Sequence, residues 1–336
     1  MSGLREPCHD EAYRTIRYDP PHIRPRFRAS RGRVMVSIRQ AMTATLDPCQ
    51  RWTWRGPMGT DGSWQPLSAR LGGTPIDQTW QEGIPAWINR AVREWLQLRL
   101  SDSAIRDRLF ARMHYHDIGP DSELVFLLPA LSESDLLDWI DGVLDIAETT
   151  DGSWIFHAER LEVFLREGHS IWRVSDSHNA LERRQDAIVT AAAHRATETA
   201  CSTGVPAAAD HLQAAWAAVY GLHPDPSKAF REAILAVEAV AVPVIVPTPR
   251  LAMLGDVLRE LRAHGDQYGL AIVDKTGSPA SVTPVTELVE LLWRGHTDRH
   301  EGNIPAIPIT QGAAEMAVHA AATLVQWFAS DAVRRK

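Results

Sequence analysis

Apolar positions recur with a helical period along most of the chain. After Pro85, the residues Trp87, Ile88, Ala91, Val92, Trp95 and Leu96 fall on one face, and the spacing predicts a helix opened by that proline. A second helix is expected over residues 102–113. Ser132, with Asp135 three residues on, resembles a capping box for a third, buried through Leu136, Leu137, Ile140, Val143 and Leu144. Its other face carries Asp135, Asp138, Asp141 and Asp145, an acidic stripe that reads as solvated surface. A further helix over 156–166 is stopped by Gly168. The period then changes. Residues 170–174 and 180–184 read as two short strands around Asp176-Ser177-His178-Asn179.

Beyond this hairpin the helical period returns, over 186–201, 207–220, 227–242, 251–263, 284–293 and 311–328. In the third of these, Phe230, Ile234, Val237 and Ala241 form one stripe, with Ser227 as the expected cap and Pro243 as the expected stop. Leu251, Leu254, Val257, Leu258 and Leu261 repeat the pattern. Ala313, Ala317, Ala320, Ala321, Leu324 and Phe328 suit a last helix that packs closely. Short connections favour an up-and-down bundle. The expected fold is all-α with a minor hairpin. It comprises a poorly ordered basic tail (1–33), a helical N-terminal domain (34–169), a hairpin linker (170–185) and a helical bundle (186–336).

Charge and composition narrow the function classes. The 336 residues carry a formal charge of −7, unevenly spread. The first 33 hold eight arginines against four acids, whereas 121–162 hold eleven acids against one arginine. A broad cationic nucleic-acid face is therefore not expected, and any RNA contact would be local. No apolar run reaches the roughly 20 residues of a membrane span, and no leader is evident at the N-terminus. Cys8, Cys49 and Cys201 are odd in number and lack metal-ligand spacing, which suits a reducing cytoplasm. His114-Tyr115-His116-Asp117 has no complementary ligand set, so neither a metal nor a cofactor is expected. The repeat of Thr60-Asp61-Gly62-Ser63-Trp64 at residues 150–154 reads as two similar turns. Phosphate-loop, dinucleotide and serine-elbow fingerprints are missing from the sequence.

The densest candidate chemistry lies at Arg294-Gly295-His296-Thr297-Asp298-Arg299-His300, between an apolar helix and a Pro-containing connection. Arginine offers a permanently charged fork for a phosphate, and histidine can exchange a proton near neutral pH. Together they suit RNA cleavage by its own 2′-hydroxyl. The spacing is common in this chain, since Arg17/His22, Arg108/His114, Arg173/His178 and Arg259/His264 match it. Of these pairs, only Arg294/His300 encloses a further histidine, His296, together with Asp298 and Arg299. The same residues would also make an ordinary polar loop that caps helix ends.

Residues 180–330 resemble the HEPN superfamily of helical bundles, in particular its abortive-infection defence proteins. The likeness rests on Lys228-Ala229-Phe230-Arg231-Glu232-Ala233-Ile234-Leu235-Ala236-Val237-Glu238 and on Thr297-Asp298-Arg299-His300-Glu301-Gly302 at a late helix junction. It implies a metal-independent endoribonuclease, a toxin or antiviral effector whose site forms where two Arg–His motifs meet across a homodimer. Arg294 would hold the scissile phosphate and His300 would transfer the proton. His296 or Asp298 would supply a further polar group, and Arg299 would contact RNA. The superfamily usually places Asn, Asp or His directly after the arginine, and this chain has Gly295. An antitoxin or a phage-derived trigger would be the other partner. A non-catalytic RNA- or protein-binding module on the same bundle is the alternative.

Overall fold

The computed structural model describes residues 66–74, 76–115, 124–147, 154–247, 252–296 and 307–336. The basic tail, the segment 34–46 and the first Thr-Asp-Gly-Ser-Trp copy lie outside these residues. The chain divides into Met1–Thr45 and Leu46–Lys336, and all the described residues belong to the second unit. That unit is mostly helical, with only short two-stranded sheets among the described residues, as the hydrophobic pattern predicts.

The N-terminal helices are α1 (Leu67–Arg70), α2 (Ala86–Leu100), α3 (Ser103–Arg112), α4 (Leu124–Ala130), α5 (Glu133–Ala147) and α6 (Trp154–Glu167). α5 forms as expected. The Asp135 amide donates to Ser132 Oγ at 3.1 Å and the hydroxyl donates back to Asp135 Oδ2 at 2.6 Å, while Leu136, Leu137, Ile140, Val143 and Leu144 are buried. Two indoles tie α2 to α6, Trp95 Nε1 donating to the His157 carbonyl (2.9 Å) and Trp87 Nε1 to that of Gly168 (3.0 Å). Trp87 is 65 % exposed, however, and does not belong to the buried face. Its ring lies along the surface while its N–H serves the end of α6. α4 escaped the sequence pattern because it is short and contains Pro129. Arg93 caps its end, donating to the carbonyls of Leu128 and of Leu131 (3.0 Å).

β1 (Trp172–Val174) and β2 (Leu181–Arg183) pair antiparallel, Val174 opposite Leu181, as expected. Both of those residues are buried in the N-terminal hydrophobic cluster. The bundle follows as α7 (Ala187–Ser202), α8 (Pro206–Tyr220), α9 (Pro226–Ile245), α10 (Leu254–His264), α11 (Thr283–Gly295) and α12 (Gln311–Ala329). α7, α8, α9 and α12 form a ring in which each packs on two neighbours. α10 and α11 lie outside it, α10 against α9 and α11 against α10 and α12. Alanine at many buried positions, such as Ala229, Ala233, Ala236 and Ala317, allows close approach of the helix axes. A second small sheet, β3 (Tyr268–Leu270) with β4 (Val333–Arg335), carried no sequence signal, because each strand is only three residues long and its partner is far away in sequence.

Two local expectations for α9 require correction. The cap is Asp225, whose side chain accepts from the Lys228 amide at 2.9 Å, so Ser227 lies inside the helix. Pro243 also lies inside, because α9 runs on to Ile245. The proline forfeits one hydrogen bond close to the end, where tertiary packing of Ile245 and Ala241 carries the helix past it. Glu238 serves as a cap for its neighbour, accepting the Leu254 amide at 2.6 Å.

Leu144 is fully buried in the N-terminal cluster. Leu144→Ala is expected to cost about 2–5 kcal/mol, read from the urea midpoint of unfolding.

Candidate functional site

Arg294 ends α11 and is 72 % exposed. Its Nη2 lies 2.6 Å from Glu290 Oε1, one turn earlier, while Glu290 Oε2 lies 2.6 Å from Nη2 of Arg262 on α10. One carboxylate thus bridges two guanidinium groups. The Arg262 hydrogen bond, aided by the charges of Arg262 and Arg294, holds the Glu290 carboxyl below its usual range. Glu287, Glu290, Leu291, Arg294 and Gly295 line a shallow, open hollow of about 460 Å³.

Below the helix end sits Phe230 of α9, which is buried. The His296 ring stacks on it with centroids 5.9 Å apart and planes 14° apart. A Cβ at position 295 would lie 2.7 Å from Phe230 Cζ, well inside van der Waals contact. Glycine is therefore what lets the last turn of α11 settle on Phe230. This gives the unusual residue after Arg294 a packing origin, and it leaves no room there for the polar side chain the HEPN pattern carries. Asp298, Arg299 and His300 lie outside the described residues. Of the expected site residues, then, Arg294 and His296 are placed at one helix end, with Arg294 directed to the hollow and His296 packed on Phe230.

Among the described residues the neighbourhood of Arg294 is not strongly cationic. Arg259 pairs with Asp256, Arg262 and Arg294 share Glu290, and His264 lies 3.1 Å from Glu260. His114 adopts a left-handed backbone conformation (φ 54°). Among the described residues no group of three or more His, Cys, Asp or Glu could hold a metal ion. His116 and Asp117 lie outside them.

A second concentration of chemistry, which the sequence did not single out, surrounds the hairpin. Asp176 in its turn contacts Nη2 of Arg173 and lies 2.6 Å from Nε2 of His194 on α7. Arg173 Nη1 is 3.4 Å from Glu182 Oε1 across the two strands. Arg184 Nη1 is 2.8 Å from Glu162 Oε1 on α6, and the other oxygen of Glu162 accepts the Val174 amide at 3.0 Å. His194 is only 8 % exposed. Burial pushes the Glu182 carboxyl up to about 7 despite the opposing charge of Arg173. Asp176 goes the other way. Burial raises its carboxyl, but the His194 hydrogen bond and Arg173 outweigh that and hold it below the ordinary value. In an antiparallel hairpin alternating polar residues are ordinary, so the sequence carried no signal that these charges would be buried.

The acidic stripe of α5 joins the same junction and is not simply solvated. Asp141 accepts the Leu181 amide at 2.6 Å, and Asp138 lies 2.9 Å from Nε2 of His223, in the connection between α8 and α9. Burial raises the Asp141 carboxyl above its ordinary value, outweighing the Leu181 hydrogen bond. Asp145 contacts Arg112. These aspartates face partners because three neighbours meet the stripe, β2 at Asp141, the α8–α9 connection at Asp138 and α3 at Asp145.

Comparisons with family models, with curated proteins and with solved structures find no match to this chain. No helix among the described residues is long and apolar enough to cross a membrane.

Gly295→Asn is expected to destabilise the fold by about 1–3 kcal/mol through overpacking against Phe230. Most of that loss should return in the double variant with Phe230→Leu. Urea unfolding of the single and double variants measures both effects.

Proposed function

We propose that the bundle is a metal-independent endoribonuclease, deployed as a toxin or antiviral effector, with Arg294 and His300 at its centre. The observation that carries this reading is the exposed guanidinium of Arg294 at the open end of α11, beside the hollow and immediately before the polar segment 297–300. In the proposed reaction Arg294 binds a non-bridging oxygen of the scissile phosphate. The 2′-hydroxyl loses its proton to a base and attacks phosphorus, and the 5′-oxygen leaves with a proton from an acid. The products are a 2′,3′-cyclic phosphate and a free 5′-hydroxyl. His300 moves a proton in this scheme. Asp298 or His296 supplies the further polar group, Arg299 contacts the RNA, and two copies of the chain assemble the site as a homodimer. His296 would have to leave its stack on Phe230 to take that part.

A second reading is favoured by a specific observation. Gly295 closes on Phe230 where the superfamily pattern has a polar residue, and Glu290 already neutralises Arg294. Both features suit a bundle that binds RNA or protein without cutting it.

The test compares the wild-type chain with Arg294→Ala and His300→Ala on RNA in excess chelator. Each variant is expected to lose about 100-fold or more in cleavage rate, with cyclic phosphate ends in the wild-type products. RNA retained on the wild-type protein but never cleaved would select the binding module. Cleavage undiminished in both variants would remove Arg294 and His300 from the chemistry.

A further inference from the structure

The hairpin carries a buried set of charges whose balance depends on a single proton. Arg173 and Arg184 offset Glu162 and Asp176, all four being largely withdrawn from solvent. One further carboxyl belongs to the set, that of Glu182 on β2, which is close to fully buried beside Arg173. Its ionisation adds a negative charge to the junction, where desolvation makes it costly.

The position of the set gives that balance a consequence. Val174 and Leu181 of the hairpin belong to the N-terminal hydrophobic cluster, whereas the flanking Ala193 and Ala196 of α7 belong to the bundle cluster. The His194–Asp176 contact therefore links one half of the molecule to the other. Further links lie beside it. Glu182 makes a backbone bridge to Gly221 at the end of α8, His223 meets Asp138, and Leu222 packs on the N-terminal cluster.

We propose that the hairpin is a proton-operated latch between the N-terminal helices and the bundle, closed while the Glu182 carboxyl holds its proton and slack once it is lost. The groups that face this carboxyl are the two arginines, Asp176, Glu162 and, from α7, His194. α5 adds Asp141, which is engaged with the Leu181 amide, and α6 adds Arg166, whose charge acts on Arg184. His178 lies half-buried in the hairpin turn, and Arg183 points away to Glu82 at 2.7 Å.

Linkage sets the sign. Closed, the junction holds the Glu182 proton up to about 7; opened, the carboxyl returns toward 4.5. The closed form thus binds the proton more tightly, and closure weakens as pH rises from the lower value through the upper one. The depressed carboxyl of Asp176 loosens the junction only in acid below the ordinary carboxylate range.

Hydrogen exchange of the full chain, read by mass spectrometry and corrected for intrinsic rates, tests the latch. Between about pH 5.5 and 8 the opening equilibrium of peptides covering 170–184 is expected to rise tenfold or more. Peptides from α9 and α12 should stay level. Glu182→Gln, which cannot ionise, should keep the hairpin closed across the range and abolish the step. If that variant lacks the wild-type far-UV circular dichroism, Glu182→Met makes the same comparison with an uncharged side chain of similar length. A level wild-type profile at the hairpin, or an undiminished step in the uncharged variant, overturns the proposal.

Discussion

Six ionisable side chains leave water together at the hairpin, and the way they satisfy one another sets how the two halves of this molecule meet. Each buried charge costs several kcal/mol unless its neighbours return the solvation it lost. Here the return is collective. Glu162 pairs with Arg184 and caps the Val174 amide, so one carboxylate fixes both a strand and a helix. Asp176 holds Arg173 on one oxygen and His194 on the other. Removing any member strands its partners, which is why such a network specifies the junction geometry more sharply than it stabilises the fold. Hydrophobic packing fills the two clusters on either side, and these polar contacts join the backbone pairing of Val174 with Leu181 in fixing the hairpin between them.

Much of the helical skeleton was legible from periodicity alone. The stripe on α5 and its Ser132 cap were readable because the signals are local and every apolar position also found the core. Legibility failed where distant residues decided the outcome. Trp87 fits the helical face by spacing, yet its indole is spent on the Gly168 carbonyl at the surface. Pro243 is a sound stop signal that bundle packing overrides for two further residues. The aspartates of α5 have the spacing of a solvated stripe, and only the arrival of β2 and His223 from elsewhere in the chain makes partners of Asp141 and Asp138. The β3–β4 pair is the extreme case, since neither three-residue strand has a pattern of its own.

The candidate site was legible in a different sense. Residue types at 294–300 announce phosphate and proton chemistry, but spacing could not show what α9 does to the helix end. Phe230 was read as part of an apolar stripe, which it is; that it would also set the residue at 295 and seat the ring of His296 needed the third dimension. The glycine after Arg294 thus fits the packing against Phe230 of α9. The buried hairpin charges were missed for the converse reason. Singly, each Arg or Glu in a short strand reads as a surface residue, and only their convergence with His194 identifies them.

The arginines of this chain divide by how firmly their partners hold them. Arg173 is buried among carboxylates whose own desolvation depends on it, and Arg93 is spent on the carbonyls that end α4. Neither can be lent to a ligand without unmaking the fold around it. Arg294 is different. Its partner Glu290 is held in turn by Arg262, so the carboxylate keeps a cation when Arg294 swings away. An exposed ion pair of this kind is worth about 0–1 kcal/mol, a small obstacle beside the two charge-assisted hydrogen bonds that a phosphate offers a guanidinium. Glu290 thus pairs with Arg294 beside the hollow while Arg262 balances the same carboxylate. The same logic sets a limit. Among the described residues the acids around α10 and α11 offset the arginines there, so an RNA held here would depend on close contacts with Arg294.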